Sequence, residues 1–374
     1  MGSKKKIKLG ILGCRGIPNH YGGYEQFAQY LSKGLVARGC EVWVYNSSLH
    51  PYKEDEWEGV KLIHCYDPED KFGAFGQFVY DFHCLRDARK RPFDVLLQLG
   101  YTSSAIWHRL WPKNMLQVMH MDGLEWKRSK YSPLVQRFLY KMEAWAAQKA
   151  DALVADSEVI QTYLKDHYQQ DAAFIPYGAH LGISPNVQDL APWGLVAKQY
   201  FLAIARFVPE NNLEPIIQGY LASQHPFPLV LVGELRHRYG QYLQKRYASS
   251  RVVFIGSIYD QAMLDSLRFH AGLYFHGHSV GGTNPSLLEA MACQVPICAH
   301  DNPFNRAVLG TEALYFEGDK AISAHLSNWE QIAFPFQWIV ANAEKIQHKY
   351  HWEKILDAYE GLFGRMLKDR WGVA

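Results

Sequence analysis

No run of apolar residues in this 374-residue chain approaches the roughly 20 needed to cross a bilayer. The opening residues, M-G-S-K-K-K-I-K-L, lack the long apolar core of a secretory signal, so a cytoplasmic location is expected. Cysteines are few and scattered (Cys14, Cys40, Cys65, Cys84, Cys293 and Cys298), without C-x-x-C spacing, which argues against a disulfide framework and against a thiolate zinc site. A net charge of +2 leaves no general case for nucleic-acid binding. Internal repeats and low-complexity tracts are absent too, which excludes solenoids and long disordered segments.

What the chain does have is the composition of a folded protein, with 48% hydrophobic and 20% charged residues. Its length is that of two domains rather than one. Aromatic residues make up 14%, including 11 Trp and 23 Tyr, more than a plain core requires and suited to an interface or to stacking.

Lys6 to Gly13 reads as a buried strand, Gly22 to Arg38 as a helix closed by Gly39, and Glu41 to Tyr45 as the next strand. This βαβ order predicts a parallel sheet. Further strands are expected at Val60 to Cys65, Asp94 to Leu99, Met115 to Met119, Ala152 to Ala155 and Ala173 to Ile175. Residues 185–198 carry two prolines and a glycine and lose periodicity, as a linker does. A second α/β series follows, with strands at Tyr200 to Ile204, Pro228 to Val232, Val252 to Ile255, Gly272 to Phe275, Ile297 to Ala299 and Leu314 to Phe316. The expected fold class is therefore α/β: two doubly wound domains, 1–185 and 186–350, and a closing amphipathic helix within 351–374 placed to return to the first domain.

Two loops point to ligand chemistry. Gly281 to Ala290, G-G-T-N-P-S-L-L-E-A, joins a strand to a helix. Such a turn aims backbone N–H groups and the positive end of a helix dipole at an anion, with Glu289 placed to accept bonds from hydroxyls. The ordinary alternative is a plain turn with a surface glutamate. Arg206, after the Tyr200 to Ile204 strand, offers a charged fork to a diphosphate from the same sheet edge, unless it only pairs with Glu210. The first βα loop, G-C-R-G-I-P-N-H-Y-G-G, is longer than G-x-G-x-x-G, and the following strand ends in Tyr45-Asn46 with no acid. A nicotinamide site is thus poorly supported, although Gly22 and Gly23 still allow close approach to a ligand, with Glu25 in the first turn.

Together, the loop ending in Gly22-Gly23, A-R-F-V-P-E-N-N and G-G-T-N-P-S-L-L-E-A-M-A resemble the GT-B-fold retaining glycosyltransferases of family four over nearly the whole chain. With H-M-D-G-L-E-W-K-R, His120 to Arg128, they look like the bacterial branch containing rhamnosyltransferases of cell-surface polysaccharide synthesis. The resemblance implies two Rossmann-like domains facing across a cleft. It implies a nucleotide-diphosphate sugar, dTDP- or UDP-linked, held by Gly22, Gly23, Arg206, Asn211, Gly281, Gly282, Thr283, Asn284, Ser286 and Glu289. A saccharide or lipid-linked acceptor would meet Tyr21, Glu125, Trp126 and Arg128, and His120 and Asp122 are the chemical candidates. No cofactor and no metal are implied, in keeping with the lack of a D-x-D sequence where a divalent ion commonly sits. There are two departures: the first of the family's paired glutamates falls at Gly281, and its usual lysine is Asn211. A deoxysugar such as rhamnose, and a softer phosphate grip, would fit both.

Basic and aromatic residues alternate in 126–149 and again in 72–91, which suits peripheral attachment to an anionic membrane, or equally a solvated helix with one buried face. Two other functions remain open on sequence: a nucleotide-sugar epimerase of the same fold, which needs no acceptor, and a non-catalytic sugar-nucleotide sensor, suggested by the missing glutamate and lysine.

Overall fold

The computed structural model describes residues 6–121, 123–128, 130–329 and 334–372. The chain divides into two compact units, Met1–Tyr177 with Trp352–Ala374, and Gly178–His351.

In the first unit, among the described residues, eight strands form one sheet in the order β3-β4-β2-β1-β5-β6-β7-β8. They are β1 (Lys8–Leu12), β2 (Glu41–Ser47), β3 (Glu56–Trp57), β4 (Val60–Cys65), β5 (Val95–Leu99), β6 (Leu116–Met121), β7 (Ala152–Ala155) and β8 (Ala172–Phe174). The central strands are apolar on both faces because helices cover both, so β5 has every residue buried. These helices are α1 (Gly23–Ala37), α2 (Glu69–Phe72), α3 (Gly76–Ala88), α4 (Pro133–Lys149) and α5 (Glu158–Tyr168). All pairings are parallel except the short β3, which folds back antiparallel on β4 and is too brief to leave a periodic signal. The strand order reverses between β1 and β5, so the loops after these two strands flank a crevice at the sheet's carboxyl edge.

The second unit repeats the plan with six parallel strands among the described residues, ordered β11-β10-β9-β12-β13-β14. The strands are β9 (Phe201–Ile204), β10 (Leu229–Val232), β11 (Val252–Gly256), β12 (Leu273–His276), β13 (Ile297–His300) and β14 (Leu314–Phe316). Helices α6 (Leu213–Ser223), α7 (Arg238–Tyr247), α8 (Gln261–His270), α9 (Pro285–Ala292), α10 (Pro303–Leu309), α11 (Asp319–Ser327) and α12 (Phe336–Lys345) complete it. The core packs Phe201, Ile216, Tyr220, Leu231, Phe275 and Ile322 between sheet and helices. Here the switch point lies between β9 and β12.

Two expectations change. Residues 185–198 are not a free linker: a 3₁₀ turn at Val187–Trp193 buries Leu190, and the segment is pinned to α8 where Ser266 Oγ accepts from Asn186 N (3.0 Å) and donates to Asp189 (2.6 Å). Proline and glycine there shape a short packed turn, which composition alone cannot distinguish from a tether. The strand expected at Met115 to Met119 runs instead over Leu116–Met121, so His120 lies inside it, paired in register with Leu99 and Val154.

The final helix, α13 (Trp352–Trp371), belongs to the first unit. Its buried residues Ile355, Leu356, Tyr359, Leu362, Phe363 and Leu367 recur at helical spacing and make one apolar face. Gly34 of α1 lets the two helices meet closely, since a Cβ there would lie 2.5 Å from Leu356 Cδ1. At the rim Arg38 Nη1 reaches Asp357 (2.6 Å) and Glu360 (3.0 Å). Exposed ion pairs of this kind contribute at most about 1 kcal/mol each, so the apolar face, at about 1.5–3 kcal/mol per fully buried large side chain, dominates the docking.

Candidate functional site

The second unit's switch point brings together the two segments singled out in the sequence. The 205–212 turn leaves β9 and the 277–284 loop leaves β12, and a set of hydrogen bonds joins them. Asn212, held at φ 49°, donates from Nδ2 to Gly277 O (2.8 Å), while Ser279 donates from both N (3.1 Å) and Oγ (2.8 Å) to Glu210 O. Gly277 is required at this contact, because a Cβ would stand 2.1 Å from Asn211 O. From the other side, Asn302 and Asn305 donate to His278 O at 3.0 and 3.1 Å. The glycine loop is therefore held on both flanks by asparagine amides.

Arg206 is exposed at this edge, and no ion pair with Glu210 forms among the described residues. Glu210 is instead buried, its Oε1 without a hydrogen-bond partner among the described residues. Asn211 is buried as well and donates to Arg206 O (2.8 Å), so the residue at the family's lysine position braces the turn that presents Arg206.

In the 277–284 loop Gly281 has φ +125°, a conformation that side-chain-bearing residues rarely adopt, and open space surrounds the place where a Cβ would stand. The position therefore lacks a carboxylate for reasons of backbone shape rather than crowding. Thr283 is buried. Asn284 caps α9, accepting from Ser286 N at 2.9 Å, and Ser286 Oγ lies 2.6 Å from the buried Tyr274 hydroxyl, which also donates to Ile204 O. The positive end of α9 is thus bonded to the last residue of β9. Glu289, one turn further on, is bonded through Oε2 to Arg268 of α8. Nearby, Gly233 approaches Ala205 O so closely that a Cβ would sit 2.2 Å away, and the Glu234 carboxyl is lowered to about 2 by its hydrogen bonds to Arg236.

In the first unit the loop after β1 folds on itself. Gly13 and Gly16 adopt φ +93° and +122°. Asn46, in the place where a dinucleotide site carries an acid, exchanges two bonds with Ile17, accepting from N at 3.0 Å and donating to O at 2.8 Å, so it shapes the loop. Gly22 is extended and precedes α1, which Gly23 begins. Glu25 is buried, and its Oε1 accepts from Arg15 N (2.8 Å). Tyr21 is exposed, with the Arg15 guanidinium 4.3 Å above its ring.

His120 has no exposed surface and sits among the rings of Tyr24, Phe27 and Tyr177 at 5.4–5.8 Å. Asp122, the other chemical candidate, lies outside the described residues. Glu125 and Arg128 are engaged with each other, Nε donating to Oε1 at 2.6 Å, and Trp126 packs edge-on against Tyr140 at 5.3 Å. Tyr101, from the loop after β5, donates to Gly123 O (3.3 Å) and to the buried Glu143 (2.9 Å) and so supports the residues that follow β6. On the same unit Asp81 is buried beside Ser103, whose Oγ donates to it at 2.5 Å, and burial pushes its carboxyl up to about 7.

Sequence reasoning missed Arg268 and the tethers Asn212, Ser279, Asn302 and Asn305. For the asparagines, P-E-N-N-L and D-N-P-F-N were the available signal, since asparagine favours caps and left-handed turns. Arg268 left no signal, because a basic residue in the last turn of a helix ordinarily faces solvent.

Residues 21–181 match the model for Glycosyltransferase Family 4, and residues 192–350 that for Glycosyl transferases group 1. No curated protein sequence matches the chain. Among solved structures, a sucrose-phosphate synthase from Thermosynechococcus elongatus aligns with TM-score 0.80 and 18% identity, covering 97% of this chain and 100% of that one. HepE of Anabaena in complex with UDP-glucose aligns with TM-score 0.74 and 14% identity over 96% and 99% of the two chains. A glycosyltransferase from Rickettsia africae gives TM-score 0.66 and 12% identity over 97% and 99%. These likenesses establish the GT-B fold.

Proposed function

We propose, for a chain built of a Glycosyltransferase Family 4 domain followed by a glycosyl transferases group 1 domain in the GT-B fold, that it transfers a sugar from a nucleotide diphosphate to a saccharide or lipid-linked acceptor with retention. The observation that carries the reading is the second unit's switch point: an exposed arginine, a left-handed glycine and a capped helix start brought to one sheet edge and tied together. HepE, described in complex with UDP-glucose, supports a nucleotide-sugar donor.

Breaking the bond from the anomeric carbon to the diphosphate oxygen leaves negative charge on the diphosphate and positive charge on the sugar. Arg206 and the Gly281, Gly282 and Thr283 backbone at the start of α9 answer the first, so the transition state gains more than the ground state. This places the charge that favours departure in the protein itself and makes the reaction metal-independent. Asn284 and Ser286 keep the helix start in place, Asn211 presents Arg206, and Glu289 accepts from the hydroxyl side of the nucleotide's pentose. With glycine at 281, no carboxylate grips the sugar from that position, which favours a deoxysugar and, within the branch resembled, dTDP-rhamnose for cell-surface polysaccharide.

To the first unit we assign the acceptor, with Tyr21, Glu125, Trp126 and Arg128 as its contacts, Gly22 and Gly23 giving close backbone approach to the donor, and Asp122 orienting or deprotonating the acceptor hydroxyl. Complete burial weighs against ligand contact by His120 and favours a role in holding the end of β6. Thermal-shift measurements with dTDP-, UDP- and GDP-sugars test the donor assignment. A ligand that binds the folded state raises the melting temperature, so stabilisation by dTDP-rhamnose and turnover to a glycoside are expected, and no response to any diphosphate sugar removes the reading.

The same unit carries a face suited to an anionic bilayer. Phe72 (64% exposed), Phe75 (70%) and Leu134 (78%) stand in solvent, and Phe75, Phe78 and Phe138 make a ring chain at 5.5 and 5.8 Å linking α3 to α4. Residues 127–141 hold Lys127, Arg128, Lys130, Arg137 and Lys141 with no acid among them. Exposed rings inserted beside lysines that meet lipid phosphates would attach the enzyme peripherally at the inner membrane face, with no helix among the described residues long and apolar enough to span it. Co-sedimentation with vesicles containing phosphatidylglycerol is expected to fall at least about fivefold in a Phe75→Ser/Leu134→Ser variant, while neutral vesicles bind neither protein. Equal recovery with both vesicle types would rule the face out.

A further inference from the structure

Arg268 is among the largest fully buried side chains of the described residues, 1% exposed, in the last turn of α8. Its guanidinium reaches Glu289 Oε2, Asp265 Oδ1 at 3.3 Å and Ser286 Oγ at 3.5 Å, with the Tyr274 hydroxyl beside it. Its Nε is buried with no hydrogen-bond partner among the described residues. A guanidinium taken out of water with one donor unsatisfied is a poor way to fill a core, and a well-packed apolar side chain of similar volume commonly stabilises a fold as well or better. Two of these partners, Glu289 and Ser286, lie on α9, the helix whose start was assigned above to the donor.

We propose that Arg268 is a positioning residue for donor binding: it holds the Glu289 carboxylate in one rotamer, so that the carboxylate meets ribose hydroxyls without first being ordered. This rests on the assignment of Glu289 to the ribose. Too deeply buried to touch a ligand, Arg268 acts only through Glu289 and Ser286. Holding the acceptor group in place before the ligand arrives removes an ordering cost from binding. The neighbouring Asp265 accepts from the same guanidinium and, at 3.7 Å, from Cys293 Sγ, so it balances the arginine without competing for the ligand. Tyr274, the other titratable group packed here, has its hydroxyl engaged by Ser286 and is kept protonated by burial.

The test uses the full chain and measures, for the wild type and for Arg268→Met, Arg268→Lys and Glu289→Gln, the affinity of the tighter of UDP and dTDP and of its analogue lacking the pentose hydroxyls. Arg268→Met is expected to weaken binding of the nucleotide about tenfold to a hundredfold while affinity for the analogue changes less than about threefold, because only the hydroxyl contacts depend on the held carboxylate. Arg268→Lys keeps the charge but loses the planar fork, so affinity for the nucleotide should fall about threefold to tenfold. A purely structural role would lower the melting temperature and the active fraction and weaken nucleotide and analogue alike. Wild-type affinity for the nucleotide in folded Arg268→Met overturns the proposal, and if that variant does not fold, wild-type affinity in Arg268→Lys does so. Glu289→Gln separates the two layers: unchanged binding there ends the ribose assignment itself, whereas weakened binding with indifferent Arg268 variants ends only the present inference.

Discussion

Arg206→Ala should lower kcat/KM for the nucleotide-sugar donor by about two to three orders of magnitude, roughly 2.7–4 kcal/mol of transition-state stabilisation. The melting temperature should hardly move, because the side chain is exposed and makes no ion pair among the described residues. The loss should fall mainly on kcat, since the charge that Arg206 answers grows as the diphosphate departs. Arg206→Lys should restore part of it, a point charge in place of a planar fork. Steady-state kinetics with the donor varied decides the matter. If Arg206→Ala raises KM with kcat unchanged, Arg206 binds the ground state only, and the electrostatic account of leaving-group departure fails.

A second large effect is expected from the smallest change available. In Gly277→Ala the new methyl would lie 2.1 Å from Asn211 O and 3.0 Å from Ile216 Cδ1, so the 205–212 turn and the 277–284 loop cannot keep their contact. Overpacking against backbone costs about 1–3 kcal/mol, which lowers the melting transition of a domain this size by about 2–4 °C per kcal/mol. The functional loss should exceed what instability explains. Separating the loops breaks the Asn212 to Gly277 and Ser279 to Glu210 bonds and displaces Arg206 from the glycine loop, so donor affinity should fall at least about tenfold in protein that remains folded. Calorimetry together with titration of UDP or dTDP measures both, and a variant that melts early yet binds nucleotide normally would show that the tie serves stability alone.

The comparison of Glu289 with Arg268 shows where sequence reading stops. Glu289 was legible because it falls at a fixed distance from a glycine turn in a helix whose start the pattern G-G-T-N-P-S announces. Arg268 follows Leu267 in a helix of mixed polarity, and nothing local distinguishes a buried arginine from one pointing outward. His120 shows a different limit. The strand expected to end at Met119 continues to Met121, and the ring is sealed among three aromatic residues drawn from α1 and from Tyr177. Strand ends are weakly specified locally, because one or two further residues join a ladder only if the neighbouring strand extends to receive them. Asn211 stood out as a departure from the family pattern, yet only the fold revealed its use as the brace beneath Arg206.

Alternation of apolar strands with helical segments was sufficient to determine two parallel, doubly wound domains, since a chain that buries both faces of a sheet must cross over it with helices of one hand. The same local pattern located the glycine turn, the capped helix and Arg206, whose backbone requirements are met within a few residues. Tertiary structure decided which of these groups meet: the reversal of strand order between β9 and β12 sets their loops side by side, and asparagine amides far apart in the chain fasten them. It also decided which charges lie in the interior, Arg268 above all. Hydrogen bonds and ion pairs between distant segments depend on where strands are placed in the sheet, and that order is selected by the packing of the whole domain rather than by any short stretch of residues.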